Sequence, residues 1–410
     1  MLSGCVEAPP QCADERCPTG EACLKDRCAP VEAPNTTGEL GRYTSVAEHP
    51  EGGIIIATYD ATYRNLVLLR QDEQGVQTRR VVDGWKVVEH TLQDRDRGKW
   101  TSLCLSQEGD AHLAWFDADA GSLRYTRFVD ADLDASVDIE VVDGAGVEIR
   151  GTHASLALSD DGVVHVAYRD ETSKSLRYAE RSLSGQWSSE EITSCAGEAL
   201  CPMEGEDYGE YADLVLVGGQ PRLVFYDRLR GDLKLAQPDS AGLWSVVTLD
   251  GRDVERDMDT GDVGRFASAA VDAKQRLGVA YYDLTHGALR YIFASGATPL
   301  PLVVDDGVYT DVRSGAKRQH IVGQHAKLVF DLRDSAVIFY LDAGQLGLKR
   351  ARLVGDQVVE KNLLEGRRPG AYIDAVLRAS GEIYGAYGLW PADNPGAVEL
   401  GFLHELGGIQ

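Results

Sequence analysis

Six times along the chain an apolar stretch ends in Asp, five residues pass, and a Leu opens the next apolar stretch. The pairs are Asp60/Leu66, Asp117/Leu123, Asp170/Leu176, Asp227/Leu233, Asp283/Leu289 and Asp342/Leu348. A second marker precedes each copy and occurs once more near the end. It is Gly, any residue, then an aromatic or His: Gly41–Tyr43, Gly98–Trp100, Gly151–His153, Gly209–Tyr211, Gly264–Phe266, Gly323–His325 and Gly370–Tyr372. The starts lie roughly 50 to 60 residues apart, and a fixed period of that length restricts a chain to repeat architectures.

The third unit shows the internal plan. Ser155 to Leu158 reads as a short strand, and Asp160-Asp161-Gly162 as a tight turn in which Gly tolerates positive φ. Val163 to Tyr168 alternates and is rich in β-branched residues, so it reads as a second strand. Leu176 to Ala179 is a third and Trp187 to Thr193 a fourth. Trp85 and Trp244 are expected to open the fourth strands of units one and four. Four antiparallel strands per unit, repeated seven times, predict an all-β, seven-bladed β-propeller. Each sheet alone exposes two apolar faces, and stacking around an axis buries both. A pair of β-sandwiches is the competing fold, but sandwiches do not keep a fixed period. Small residues three before the repeat Asp (Ala57, Ala114, Ala167, Ala280) fit crowding near an axis. Extra length between Leu66 and Trp85 suggests an added hairpin in unit one. Unit seven lacks the repeat Asp and a fourth strand, and residues 29–40, rich in Pro and polar residues, are poor material for closing the ring with an N-terminal strand.

The expected organisation is a lipobox-like, Cys-rich segment over 1–28, a linker over 29–40 and a propeller over 41–410. Its blades cover approximately 41–97, 98–150, 151–208, 209–263, 264–322, 323–369 and 370–410. The formal charge of −24 argues against nucleic acid as a partner, which needs a basic footprint. It also disfavours direct docking to anionic lipid. No apolar stretch approaches the ~20 residues that cross a bilayer. Leu2-Ser3-Gly4-Cys5 resembles a bacterial lipobox, which makes Cys5 the candidate lipidation site and a lipid anchor the one expected membrane attachment. Cys12, Cys17, Cys23 and Cys28 crowd into a segment with almost no core. Two disulfides and an oxidising compartment are favoured there over zinc, because paired C-x2-C knuckles are absent. Cys195 and Cys201 are expected to form a third bridge, and Cys104 to be a buried free thiol.

In such a blade the loop entering the innermost strand and the loop joining strands two and three share one face. The marker residues Tyr43, Trp100, His153, Tyr211, Phe266, His325 and Tyr372 are therefore the candidate ligand-binding ring at a channel mouth. The six repeat Asp residues form a second ring. Identical spacing favours a structural role for the carboxylates, since an Asp at a strand end accepts N–H bonds from its own loop. His112 and His165 are assigned to structure. Asp130, Asp132 and Asp134 have the alternating oxygens of a calcium loop but lack its Gly and its terminal Glu, so calcium is the one candidate cofactor. Asp257, Asp259 and Asp262 are a weaker acidic cluster. Arg124, Arg177 and Arg290 follow the repeat Leu and are expected to face outward. No Gly-x-Ser-x-Gly, HExxH or phosphate-binding Gly loop occurs.

The phrases at 163–180 and 276–292 resemble a tandem repeat of secreted bacterial and archaeal propellers, distantly similar to sialidase-like propellers. The resemblance spans roughly residues 41 to 369 and implies fold, not catalytic residues. The Cys-rich start resembles leaders of deltaproteobacterial lipoproteins. Together these lead to the expectation of a monomeric, exported cell-surface lipoprotein of a Gram-negative bacterium, an adhesion or binding propeller for a glycan or a surface protein. A glycoside hydrolase or polysaccharide lyase at the same mouth is the alternative, and a structural envelope component the third.

Overall fold

The structure is a computed structural model. It describes residues 38–75, 77–88, 91–93, 95–136, 138–193, 205–253, 258–294, 300–365, 371–390 and 397–405. Ahead of them it describes Cys17 and a hairpin pairing Glu21–Leu24 with Arg27–Pro30. Cys5, Cys12, Cys195, Cys201 and Gly370 lie outside the described residues, as does most of the linker over 29–40.

Seven antiparallel sheets follow one another along the chain, and each strand pairs with its sequence neighbour. The third sheet is Arg150–Leu158, Val164–Asp170, Ser175–Arg181 and Trp187–Ile192, as its sequence predicts. The second strand of every blade is apolar on both faces. In blades one, two, three and five all its residues are buried. A strand buried on both sides needs two partners, and only a neighbouring blade on each side supplies them.

The core accordingly divides into seven layers, one per blade junction. Between the first two blades Ile55, Leu66 and Leu68 meet Leu113, Trp115 and Phe128. The layer that closes the ring joins Val46, Ile56 and Val67 of the first blade to Ala386 of the seventh, with Val376, Tyr384 and Leu400 against it. Two separate sandwiches would have no such layer. Among the described residues the seventh sheet has three strands, Asp374–Leu377, Ile383–Leu389 and Glu399–Glu405. Packing and polar clasps join the first and seventh blades. The carboxylate of Glu48 accepts from Arg378 Nε (3.0 Å) and from the N–H of Ala379 (2.9 Å).

The repeat Gly and the repeat Leu prove to be two halves of one contact. Gly264 has φ +108°, and a Cβ there would lie 2.8 Å from the Cα of Leu233 in the preceding blade. Gly98, Gly151 and Gly323 meet Leu66, Leu123 and Leu289 in the same way. Each repeat Asp is followed by a residue whose N–H donates to the carbonyl two residues before the marker Gly of its own blade. Examples are Ala118 to Asp96 and Leu284 to Asp262, both 2.9 Å. The two loop sets thus share one face, as the strand order requires.

Two expectations are corrected. Trp85 does not open the outer strand of blade one, which is Gln77–Asp83. The added hairpin is not within residues 66–85 but follows them, as Lys86–Val88 and Thr91–Gln93. The polar run Gln77 to Arg80 suits an outer strand because its residues are largely exposed there. Further hairpins occupy the connections into blades five and six: Arg252–Asp253 with Met258–Asp259, and Val308–Thr310 with Lys317–Gln319. Cys17 and Cys28 form a disulfide with Cα atoms 5.4 Å apart, and Cys23 is also disulfide-bonded. Cys104 is free, and burial pushes its thiol up to about 11.

Gly264→Ala should destabilise the protein by about 2–4 kcal/mol, combining a forced positive φ with a backbone collision. Gly218→Ala, with φ +58° and nothing within 4 Å of a built Cβ, should cost about 1 kcal/mol. Urea melts of both variants check the difference; equal losses would remove the blade contact as the reason for the marker Gly.

Candidate functional site

All seven marker residues meet at the axis. Their rings touch in one closed circuit: Tyr43–Trp100 (5.0 Å between centroids), Trp100–His153 (5.4 Å), His153–Tyr211 (5.2 Å), Tyr211–Phe266 (4.6 Å), Phe266–His325 (4.2 Å), His325–Tyr372 (5.3 Å) and Tyr372–Tyr43 (4.7 Å). These spacings are those of favourable tilted and edge-on aromatic pairs. Each residue is half-buried, so the circuit is both core and surface.

The backbone explains the convergence. Every member has positive φ, from 48° at Trp100 to 62° at Tyr372. In blades one to six the strand register shifts at this position. A bulge with one residue in the left-handed region turns a side chain that would lie between blades toward the axis. Left-handed backbone costs a non-Gly residue about 1–2 kcal/mol. Seven such residues persist because their rings support one another. Sequence reasoning placed them at an open mouth; the structure makes them a crown that narrows the channel.

Below the crown lies a second ring that sequence reasoning missed. It is formed by the residue two after each marker: Ser45, Ser102, Ser155, Asp213, Ser268, Lys327 and Asp374. Six of these accept the innermost-strand N–H of the next blade. Leu103 donates to Ser45 (3.0 Å), Leu156 to Ser102 (2.9 Å), Leu214 to Ser155 (3.0 Å), Ala269 to Asp213 (2.8 Å), Leu328 to Ser268 (3.1 Å) and Val46 to Asp374 (2.6 Å). Innermost strands have a free edge facing the channel, and these side chains satisfy one donor on each. Lys327 has no acceptor atom and is the exception. Its ammonium pairs with Asp374 at 2.6 Å. Burial alone would lower the Lys327 pKa, but Asp374 and Asp213 more than offset it and hold it above its ordinary value. Burial raises Asp213 above the usual aspartate range despite Lys327 and its hydrogen bonds from Ala269 and Ser155.

The symmetry breaks where these charges sit. A well of about 180 Å³ opens among blades four to seven, lined by Tyr211, Phe266, His325 and Tyr372 together with Asp213. Burial pushes His325 down to about 3 and His153 down to about 4, so both imidazoles are neutral. Nδ1 of His153 accepts the N–H of Tyr211 (3.0 Å), which leaves the proton on Nε2.

The repeat Asp ring is structural. All six carboxylates are buried. One oxygen of Asp170 accepts the N–H groups of Thr172 (2.9 Å) and Ser173 (3.0 Å), and the other accepts Arg150 Nε (2.7 Å). Asp60, Asp117 and Asp227 repeat the two-donor loop pattern. Arg124, Arg177 and Arg290 do not face outward. Their side chains are 11 to 17 % exposed, paired with Asp117 (2.8 Å), Asp143 (3.0 Å) and Asp283 (2.6 Å). Asp83, Asp143, Asp250 and Asp305, each ending an outer strand, accept from an aromatic of the next blade: Trp115, Tyr168, Tyr281 and Tyr340. A third-strand basic residue joins each of the last three. The charge that read as surface from sequence is largely mortar between blades. His112 and His165 contact Tyr125 and Tyr178 within the sheets.

Asp130, Asp132 and Asp134 lie in a surface loop around a 3-10 turn, Val129–Ala131. Its carbonyls face arginines: Leu133 and Ala135 accept from Arg80, and Asp130 from Arg70 (3.5 Å). Among the described residues no three His, Cys, Asp or Glu side chains gather as a metal site. Asp257 lies outside the described residues.

No protein family matches the chain, and no curated protein does. Solved structures do. A polysaccharide lyase PL25 ulvan lyase is 10% identical with a TM-score of 0.55, over 90% of this chain and 95% of that one. The polysaccharide lyase Uly1 is 12% identical with a TM-score of 0.52, over 97% and 95%. The NanB sialidase of Streptococcus pneumoniae is 10% identical at 0.47, over 93% and 71%. At these identities the likeness shows the fold alone.

Asp213→Asn keeps an oxygen for the Ala269 N–H and removes the titration. Because the folded pKa of Asp213 is raised above 3.8, the native state binds its proton more tightly than the unfolded chain. Wild-type stability therefore falls as pH rises from the ordinary aspartate range through the raised value. The stability difference should move in favour of the variant across that window and level off above it. Urea melts at stepped pH check this; parallel curves would exclude a strained carboxylate.

Proposed function

We propose that the chain is an exported, lipid-anchored binding propeller that recognises a glycan or a partner protein at its crowned face. The observation that carries the reading is the closed crown of half-exposed rings over a charged, asymmetric floor. A plug needed only for stability would be served by seven apolar side chains. This one holds phenol, indole and imidazole groups with polar edges. The hairpins that decorate the propeller enter on the same face, as loops with recognition roles commonly do. The Cys17–Cys28 disulfide supports an oxidising compartment, and the lipobox-like Leu2-Ser3-Gly4-Cys5 supports a lipid on Cys5.

A second reading is a polysaccharide lyase at the same face. It is favoured by neutral His next to Tyr in the crown, at His153–Tyr211 and His325–Tyr372, which are groups suited to moving protons. Two structural neighbours described as polysaccharide lyases share the fold. A glycosidase is less well supported, because the repeat carboxylates are held in loops and ion pairs and offer no facing pair.

Trp100→Ala and His325→Ala should each weaken capture on a glycan array or in a surface-protein pull-down at least tenfold, with unfolding midpoints still above the assay temperature. Unchanged capture would remove the crown from the function. Incubation with uronate polysaccharides, followed by ultraviolet absorbance of unsaturated ends, separates the two readings: product that disappears in His325→Ala would favour the lyase.

A further inference from the structure

The well in the crown has a composition that its neighbours lack. Tyr211, Phe266, His325 and Tyr372 present four π faces, with successive centroids 4.6, 4.2 and 5.3 Å apart. Asp213 lines the same cavity. It has two hydrogen bonds, from Ala269 and Ser155, and a carboxylate can accept about four. The floor beneath combines two acids, Asp213 and Asp374, with one ammonium, Lys327. His325 is uncharged, so its ring adds to the π wall and does not repel a cation.

We propose that this well receives the ammonium group of a lysine side chain from a basic partner protein. The inference rests on reading the crowned face as a binding surface and names what that surface takes. A cation over several aromatic faces is attracted by their quadrupoles, and more strongly when desolvated above a carboxylate. An anion would meet Asp213. The volume, about 180 Å³, is below the ~300–1,000 Å³ of sites that enclose a drug-sized ligand, which suits a slender alkyl chain better than a sugar residue.

The surroundings point to protein. Leu229, Leu284 and Leu346 stand exposed in the loops between strands two and three of blades four, five and six. Val308, Val312 and Ile321 stand exposed in and beside the hairpin entering blade six. These blades form the well, and its loops share the crowned face. Apolar side chains around a central polar anchor are the anatomy of a protein interface. Arg265, beside Phe266 in the chain, is engaged by Asp262 (3.0 Å), and Arg228 by Glu210 (3.2 Å). The formal charge of −24 favours encounter with a basic protein.

The test is ligand-observed saturation-transfer NMR on the full chain with Nα-acetyl-lysine methylamide, its Nε-acetylated neutral form, glucosamine and N-acetylglucosamine. The expected result is binding of the lysine compound at least tenfold tighter than its neutral form and tighter than both sugars. Asp213→Asn and Phe266→Leu should each weaken it at least tenfold. Equal binding of the charged and neutral lysine compounds to wild type overturns the proposal, without depending on how any variant folds. Preference for glucosamine would keep the ammonium chemistry but overturn the protein partner. Binding of neutral N-acetylglucosamine alone, lost in Trp100→Ala, would overturn the proposal while the crowned face stands as a binding surface. Absence of all binding, together with unchanged capture by the Trp100 and His325 variants, would overturn both.

Discussion

A ring of radial sheets leaves one problem unsolved by sheet pairing: the innermost strand of each blade faces the axis with a free edge. In this protein side-chain acceptors at six of the seven junctions reach across that edge to the next blade. The bonds are individually worth about 0.5–1.5 kcal/mol, but leaving such donors buried without a partner would cost more. They also fix how far one blade rotates against the next. The left-handed bulge above them exists because the strand must bring an aromatic to the axis and, two residues later, an acceptor to the neighbour. The marker Gly just before it lets the backbone pass over the repeat Leu of the preceding blade.

Much of this was legible as periodicity. The Gly, the aromatic, the Asp and the Leu recur because each serves a contact made at every junction, and the same spacing fixed their common face. What was not legible is what varies. The acceptor ring is Ser in four blades, Asp in two and Lys in one, so it carries no sequence signature unless position relative to the marker is already known. Arg124, Arg177 and Arg290 looked like surface because strand alternation puts them on the polar face. That face is covered by the outer-strand carboxylate of the preceding blade, a pairing between residues 34 apart for Asp143 and Arg177. Trp85 misled because Trp187 and Trp244 do open outer strands, whereas the first blade begins its outer strand with Gln77.

The accounting of carboxylates narrows where function can sit. An acidic protein offers many candidate acids, yet the six repeat Asp residues and four outer-strand Asp residues are consumed in loops and ion pairs. Breaking one such buried pair by removing one partner typically costs several kcal/mol, which is the mark of structure. Asp213 lines the well under the crown, and it is held above its ordinary pKa because burial disfavours its charge and Lys327 only partly offsets that.

Lys327 ties the asymmetry of one junction to the others. A lysine at the sixth latch position gives up an inter-blade hydrogen bond, a cost the other six junctions do not bear. In return it neutralises Asp374, whose other oxygen latches the closing blade to Val46. Asp374 is committed to closure and to Lys327, and the second acid of the ring, Asp213, lies with the four aromatic residues that line the well. Lys327 therefore balances one of the two acids of the ring where it gives up the latch between the sixth and seventh blades, and a strictly symmetric ring of serines would close as a propeller but have nothing to offer a charged ligand.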